Sequence, residues 1–243
     1  MFGFFKKKIK LKELIPNKFV DIHSHILYGL DDGAKSLKDT QYLIKELESF
    51  GFDQFIATPH TTPLVWENTY EGICTQYNII KQELNVNDNK LRVASEYLMD
   101  ESFFKRLESE KLLTLKDNYV LVEMSYINPP IQLYEILLAL QSKGYQPVLA
   151  HPERYNFYKN DYGSFKRLKQ AGCLFQMNLL SSTGYYGSGI AEVADYLLKE
   201  NMYDFVGSDV HHDRHIKAFN DDVKIKNIKE LESVIQNNDF FRL

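Results

Sequence analysis

Seven short β-rich runs alternate with helical patterns along this chain, and most of them end on a histidine or a carboxylate. The runs are KFVDIH (18–23), QFIATPH (54–60), KLRVASE (90–96), NYVLVEMS (118–125), QPVLAHPE (146–153), CLFQMNLL (173–180) and YDFVGSDVH (203–211). Between them apolar residues recur at helical spacing. Ser36 can cap the first helix, with Asp39 three residues on; Leu37, Leu43, Ile44 and Leu47 mark its apolar face, and Gly51 follows its end. Further helices are predicted over 70–84, 101–111, 131–143, 164–171 and 189–200, and one over 227–237 closes the chain. Strands alternating with helices predict a parallel sheet, and seven of them can close into an α/β barrel.

Composition agrees with a single domain of that kind. The chain has 243 residues, 44% of them hydrophobic and 14% aromatic, ample for a core. No Pro/Gly/Ser-rich linker and no short-period repeat interrupts it, so residues 18–243 read as one domain. A net charge of −4 and a pI near 6.0 argue against nucleic-acid binding. Cys74 and Cys173 stand far apart and in no CxxC pattern, which predicts no disulfide framework and a reducing cytoplasm. No apolar run approaches the roughly 20 residues that span a bilayer, and no signal-peptide core opens the chain. Residues 1–17 form a basic, aromatic arm: MFGFFKKKIKLK carries three phenylalanines and five lysines. Such an arm either packs on the domain or a partner subunit, or touches an anionic membrane surface from the cytoplasmic side, where each basic residue contributes about 1 kcal/mol.

The polar residues then fall into place. His23 and His25 end the first strand, His60 the second, Glu96 the third, Glu123 the fourth, His151 the fifth, and Asp209 with His211 the seventh. In a parallel barrel these carboxyl ends converge on one mouth. The two-residue spacing within HSH and within DVH aims both members of each pair the same way. Taken singly, each residue reads as an ordinary hydrogen-bonded side chain or a helix cap. Taken together they crowd imidazoles and carboxylates into one place, where the acids repel one another and buried neutral rings need partners, so the cluster calls for positive charge. Metal ions supply it.

Histidine and carboxylate without thiolate suit Mn²⁺, Fe²⁺ or Zn²⁺ in open coordination and speak against a closed structural zinc site. Eight or nine ligands exceed the needs of one ion. Two or three metals sharing bridging carboxylates, with Glu96 a candidate bridge, make a centre that activates water for hydrolysis. Arg154 lies three residues after His151 in HPER, and Arg214 three after His211 in HHDR, and both are expected to reach the mouth from loops. Guanidinium forks beside metals match phosphate oxygens, which favours phosphate esters; the plainer alternative is that each arginine pairs with an acid such as Glu153 or Asp213.

The ordered set DIHSH…DDG, TPH, SE, LVEMS, AHPERY and GSDVHH resembles the PHP (polymerase and histidinol phosphatase) superfamily through nearly the whole chain. DIHSHIL…DDGAKS with HPERY is similar to the bacterial manganese-dependent protein-tyrosine phosphatases encoded with capsule and exopolysaccharide genes. The resemblance implies a distorted seven-stranded (β/α)7 barrel and three divalent ions, Mn²⁺ in the first place. It implies that His23, His25, Glu96 and Asp209 hold one ion, Glu96, Glu123 and His151 a second, and Asp32, His60 and His211 a third. Arg154 matches a phosphate-binding arginine. Arg214 follows the SDxH motif at a shorter spacing, and Tyr185 and Tyr186 stand where smaller or basic residues are the family's habit. The implied substrate is a phosphotyrosine protein, the tyrosine-rich tail of a polysaccharide-export kinase.

Cysteine-based phosphatase chemistry is excluded, because it needs an arginine six residues after the cysteine and Ile80 and Leu179 occupy those positions. An activated water is instead expected to attack phosphorus, and a phenol with a pKa of about 10 leaves more readily than an alcohol. Three rivals stay open: a small-molecule phosphatase of the histidinol-phosphate type, an amidohydrolase-like hydrolase, and a metal-stabilised phospho-ligand binding module.

Overall fold

A computed structural model describes residues 8–243. Nine strands, all paired in parallel, alternate with eight α-helices: β1 (Phe19–Asp21), α1 (Leu37–Ser49), β2 (Phe52–Ala57), β3 (His60–Thr61), α2 (Tyr70–Leu84), β4 (Leu91–Val93), β5 (Glu96–Leu98), α3 (Phe103–Ser109), β6 (Tyr119–Glu123), α4 (Leu133–Ser142), β7 (Gln146–Ala150), α5 (Tyr162–Gln170), β8 (Leu174–Asn178), α6 (Ser188–Lys199), β9 (Phe205–Gly207), α7 (Asp213–Ala218) and α8 (Ile228–Asn237). The expected helices are present, and α7 is an addition. Ser36 does cap α1, its side chain accepting from the Asp39 amide at 3.3 Å. Thr69 caps α2 in the same way, accepting from Gly72 at 3.1 Å.

Strand pairing departs from the single seven-stranded ring. The strands form two sheets, β1-β2-β4 and β3-β5-β6-β7-β8-β9, and do not close one hydrogen-bonded barrel. The reason lies in two neighbouring interruptions. Pro59 offers no N–H, so the second run breaks into β2 and β3, while Ala94 and Ser95 break the third into β4 and β5. Hydrogen bonds stitch the break: Ala94 donates to the Ala57 carbonyl at 2.8 Å, Glu96 to that of Pro59 at 3.1 Å, and the Ser95 hydroxyl to Pro59 at 2.8 Å. At the far edge a parallel bridge joins Ser24 to Val210, and Asp209 donates to the His23 carbonyl at 2.8 Å.

Strand side chains sort alternately into two clusters, as buried parallel sheets require. Val20, Ile22, Ile56, Ala94, Leu121, Val148 and Ala150 pack together inside. Phe19, Phe55, Ala57, Val120, Val122 and Leu149 face the helices. Phe241, fully buried, closes the lower end of the inner cluster against Phe205 and Tyr119, with ring centroids at 4.7 and 5.9 Å.

Of the expected N-terminal arm, residues 1–7, with all three phenylalanines, lie outside the described residues. From Lys8 on, the segment is tied to the stretch after α7: Val223 donates to Ile9, Leu11 to Asp221 and Lys12 to Phe219, and Leu11 is fully buried. Among the described residues no helix is long and apolar enough to cross a membrane.

Candidate metal centre

Each candidate ligand except Asp32, which lies in the loop before α1, sits where a strand ends or restarts. His23 and His25 follow β1, Glu123 ends β6, His151 follows β7, and Asp209 and His211 follow β9. His60 and Glu96 open β3 and β5, because the sheet break falls just before them, and they stand opposite each other in the register. Glu123 lies two residues beyond Leu121, so strand alternation turns it toward the interior. His151 and Asp209 adopt left-handed backbone, with φ of 36° and 50°. Non-glycine residues rarely hold that conformation, and here it bends the chain at the end of β7 and just after β9. Glycines let the walls approach. A Cβ on Gly33 would lie 2.0 Å from the His25 carbonyl oxygen, and one on Gly207 would lie 2.5 Å from the His23 Cβ.

All nine candidate ligands converge. Glu96, fully buried, is the hub: its Oε2 lies 3.2 Å from His23 Nε2, 3.4 Å from His25 Nε2 and 3.1 Å from His60 Nδ1, and its Oε1 lies 3.0 Å from His151 Nε2. Asp209 Oδ1 reaches His23, His25 and His211 at 3.4, 3.3 and 3.5 Å. Glu123 lies 3.1 Å from His60, while Asp32 stands 3.7 Å from His60 and 3.4 Å from His211 at the exposed rim. Donor atoms within 4.8 Å of one another fall into four overlapping groups: His25, Asp32, His60 and His211; His23, His25 and Asp209; His23, Glu96 and His151; and His60, Glu96 and Glu123. These groups differ from the sets that the resemblance implies: His25 also joins Asp32, His60 and His211, Glu96 is not grouped with His25 and Asp209, and His151 and Glu123 fall into different groups. His151 lies on the His23 side of Glu96, with ring centroids 5.5 Å apart, whereas Glu123 lies on the His60 side.

The donor chemistry fits cations. His23 Nδ1 lies 2.7 Å from Gln176 Oε1 and His25 Nδ1 2.7 Å from Asp31 Oδ2, so each ring uses Nδ1 as a donor and turns an Nε2 lone pair inward. Those two Nε2 atoms are 3.2 Å apart. Neither oxygen of Glu96 receives a well-directed hydrogen bond despite four imidazoles around it. Buried lone pairs facing one another need an electrophile between them. The same pressure shows in the ionisation. Burial alone would raise Glu96 and Asp209, yet the surrounding imidazoles, His23 foremost, hold both well below the usual carboxylate range. Burial and the Glu96 charge raise Glu123. Burial and His25 lower His60, but Glu96 and Glu123 outweigh them and push it up to about 10.

The arginines separate. Arg154, at the end of the 3-10 turn Pro152–Arg154, places Nη1 2.7 Å from Asp209 Oδ2, not on Glu153. Glu153 is buried elsewhere, accepting from Ser181, Tyr203 and the Asn178 amide. Arg214 is exposed in the first turn of α7 rather than on a loop over the mouth. Several residues of the site were not picked out from the sequence: Asp31 and Gln176, which orient the two histidines, Asn178, which donates to Asp209 at 2.7 Å, and Tyr126, beside His151. Asp31 carried a usable signal, since a ligand histidine needs an acceptor for its second nitrogen and a carboxylate six residues on can supply it.

Residues 19–228 match the family model for CpsB/CapC capsular polysaccharide synthesis proteins. The chain belongs to the CpsB/CapC family. Among relatives of the family, the putative tyrosine-protein phosphatase CapC of Staphylococcus aureus is 28% identical over 226 residues, 90% of this chain and 89% of its own length. The tyrosine-protein phosphatase YwqE of Bacillus subtilis is 30% identical over 201 residues, covering 79% of this chain and 77% of its own length. A solved structure from the work on YwqE of Bacillus subtilis and CpsB of Streptococcus pneumoniae, described as unique metal-dependent tyrosine phosphatases, superposes with a TM-score of 0.75 at 28% identity. It covers 88% of this chain and 86% of that one.

Proposed function

We propose that this protein is a metal-dependent tyrosine-protein phosphatase that removes phosphate from a phosphotyrosine protein of capsule or exopolysaccharide synthesis, with the tyrosine-rich tail of a kinase as substrate. The observation that carries this reading is the convergence of nine His, Asp and Glu side chains on one mouth around Glu96, with the Arg154 guanidinium held against the same cluster. Three ions, Mn²⁺ first and Fe or Zn as alternatives, match the donor count, and the two sheets then act together as the distorted seven-stranded barrel of the PHP type. Divalent cations in such a site supply Lewis acidity that brings the pKa of water toward neutrality and offsets phosphoryl charge.

The chain's own residues do the rest. His23, His25, His60, His151 and His211 present ring nitrogens, and Asp32, Glu96, Glu123 and Asp209 present carboxylate oxygens. Asp31 and Gln176 keep the His25 and His23 rings in the required tautomer. Among the described residues the one side-chain hydrogen bond of Arg154 goes to Asp209, which leaves the remaining donors of its fork for phosphate oxygens. Arg214, exposed beside the mouth, draws anionic substrate in by its charge. Neither cysteine has the arginine six residues on that thiol phosphatase chemistry needs, and burial pushes the Cys173 thiol up to about 12. A cytoplasmic location, at the inner face of the membrane, suits such a substrate.

The test is metal analysis of the purified chain, followed by turnover of a phosphotyrosine peptide with and without chelator and against histidinol phosphate. Faster turnover of the peptide, lost with chelator, supports the reading. Preference for histidinol phosphate moves the protein to the small-molecule class, and tight peptide binding without phosphate release makes it a binding module. His25→Ala should lower metal content and activity together.

A further inference from the structure

The Arg154 side chain lies between two aromatic rings. Its guanidinium carbon sits 4.1 Å from the centroid of Tyr186 and 4.9 Å from that of Tyr126, both within cation–π range. The two tyrosines are held differently. Tyr186 is tied into a closed loop: Asn178 Nδ2 donates to the Tyr186 hydroxyl at 3.0 Å and to Asp209 Oδ2 at 2.7 Å, and that same oxygen accepts from Arg154. Tyr126 leans on His151 with the rings nearly parallel, 21° apart at 5.8 Å, yet remains 46% exposed. The Tyr186 hydroxyl is therefore held by Asn178, while Tyr126, its own hydroxyl 3.5 Å from His151 Nε2, keeps exposed surface that borders both the candidate ligands and the open mouth.

We propose that Tyr126 and Tyr186 form an aromatic clamp in which Tyr186 fixes the plane of the Arg154 fork and Tyr126 receives the phenyl ring of an aryl phosphate, making the site selective for aryl over alkyl phosphomonoesters. The inference rests on the phosphatase reading above. A guanidinium stacked against aromatic faces keeps its N–H donors in the plane between them, aimed at Asp209 and at a phosphate. A phosphate held by that fork would carry its ester group beside the accessible part of Tyr126. An aromatic ring gains an offset or edge contact there that an aliphatic chain does not. Tyr186 is a positioning residue and Tyr126 a specificity-determining one.

The experiment compares wild type, Tyr126→Leu, Tyr126→Phe and Tyr186→Leu as full chains with Mn²⁺. Calorimetry measures the binding of benzylphosphonate and of methylphosphonate, and kinetics follow a phosphotyrosine peptide. In Tyr126→Leu the clamp predicts about tenfold weaker benzylphosphonate binding and a KM for the peptide raised in step, with methylphosphonate binding and kcat unchanged. Tyr126→Phe keeps the ring and should retain wild-type preference. Tyr186→Leu should weaken both phosphonates alike. Equal affinity of the wild type for the two phosphonates, an unchanged ratio in Tyr126→Leu, or no effect of Tyr186→Leu would overturn the clamp. A wild type that prefers benzylphosphonate but releases no phosphate from the peptide would support the clamp and sink the phosphatase reading.

Discussion

Asp31 Oδ2 stands 2.7 Å from His25 Nδ1 and also accepts the backbone N–H of His60 at 3.1 Å, so one buried carboxylate orients two candidate ligands. Asp31→Asn keeps the shape but loses the charge that fixes the His25 tautomer. The expected outcome is metal affinity weakened by about 10–100-fold with the fold intact, read by titration of the metal-free protein with Mn²⁺. Unchanged affinity would return Asp31 to a loop-closing role.

Cations that bind this cluster in the native chain alone must raise its stability. With free metal about a hundredfold above Kd, the gain is about 2.7 kcal/mol, visible as a fall in Tm when chelator is added. Equal Tm with and without chelator would mean that the cluster holds no ion.

Arg154→Lys keeps the charge and loses the fork. We expect kcat/KM for a phosphotyrosine peptide to fall by about 10–100-fold while metal content stays the same. Arg214→Ala removes an exposed charge, and its smaller loss should shrink as salt is added. A larger loss in Arg214→Ala than in Arg154→Lys would reverse these roles.

Phe241 fills the lower end of the inner cluster with no exposed surface. Truncating it to alanine leaves a cavity far from the ligands, and the expected cost is about 3–5 kcal/mol in urea unfolding with Mn²⁺ affinity preserved. A cost near zero would show that the neighbouring rings collapse to fill the space.

Much of this site was legible from the sequence because strand periodicity does two jobs at once. It marks where strands end, and parallel ends share one mouth, so His23, Glu123, His151 and Asp209 were placed together before any distance was known. Contacts made across the fold left less trace. Gln176 is 153 positions from His23 yet lies on its ring nitrogen, and nothing local distinguishes it from a surface glutamine. The Tyr126 and Tyr186 stacking on Arg154 is of the same kind. The sheet break was partly legible: Pro59 announces the missing donor, but the matching interruption at Ala94 and Ser95 follows from pairing with that neighbour. Arg214 was expected on a loop, and a one-and-a-half-turn helix, too short for periodicity to reveal, took its place.

That break has a mechanical consequence. His23 and His25 extend from the small sheet, whereas His60, Glu96, Glu123, His151 and Asp209 belong to or follow strands of the large one. Any ion shared between these sets acts as a rivet across the seam, and amide protons of Asp209 and His25, which donate to the His23 and Val210 carbonyls between the two sheets, should exchange with deuterium sooner once the rivet is withdrawn.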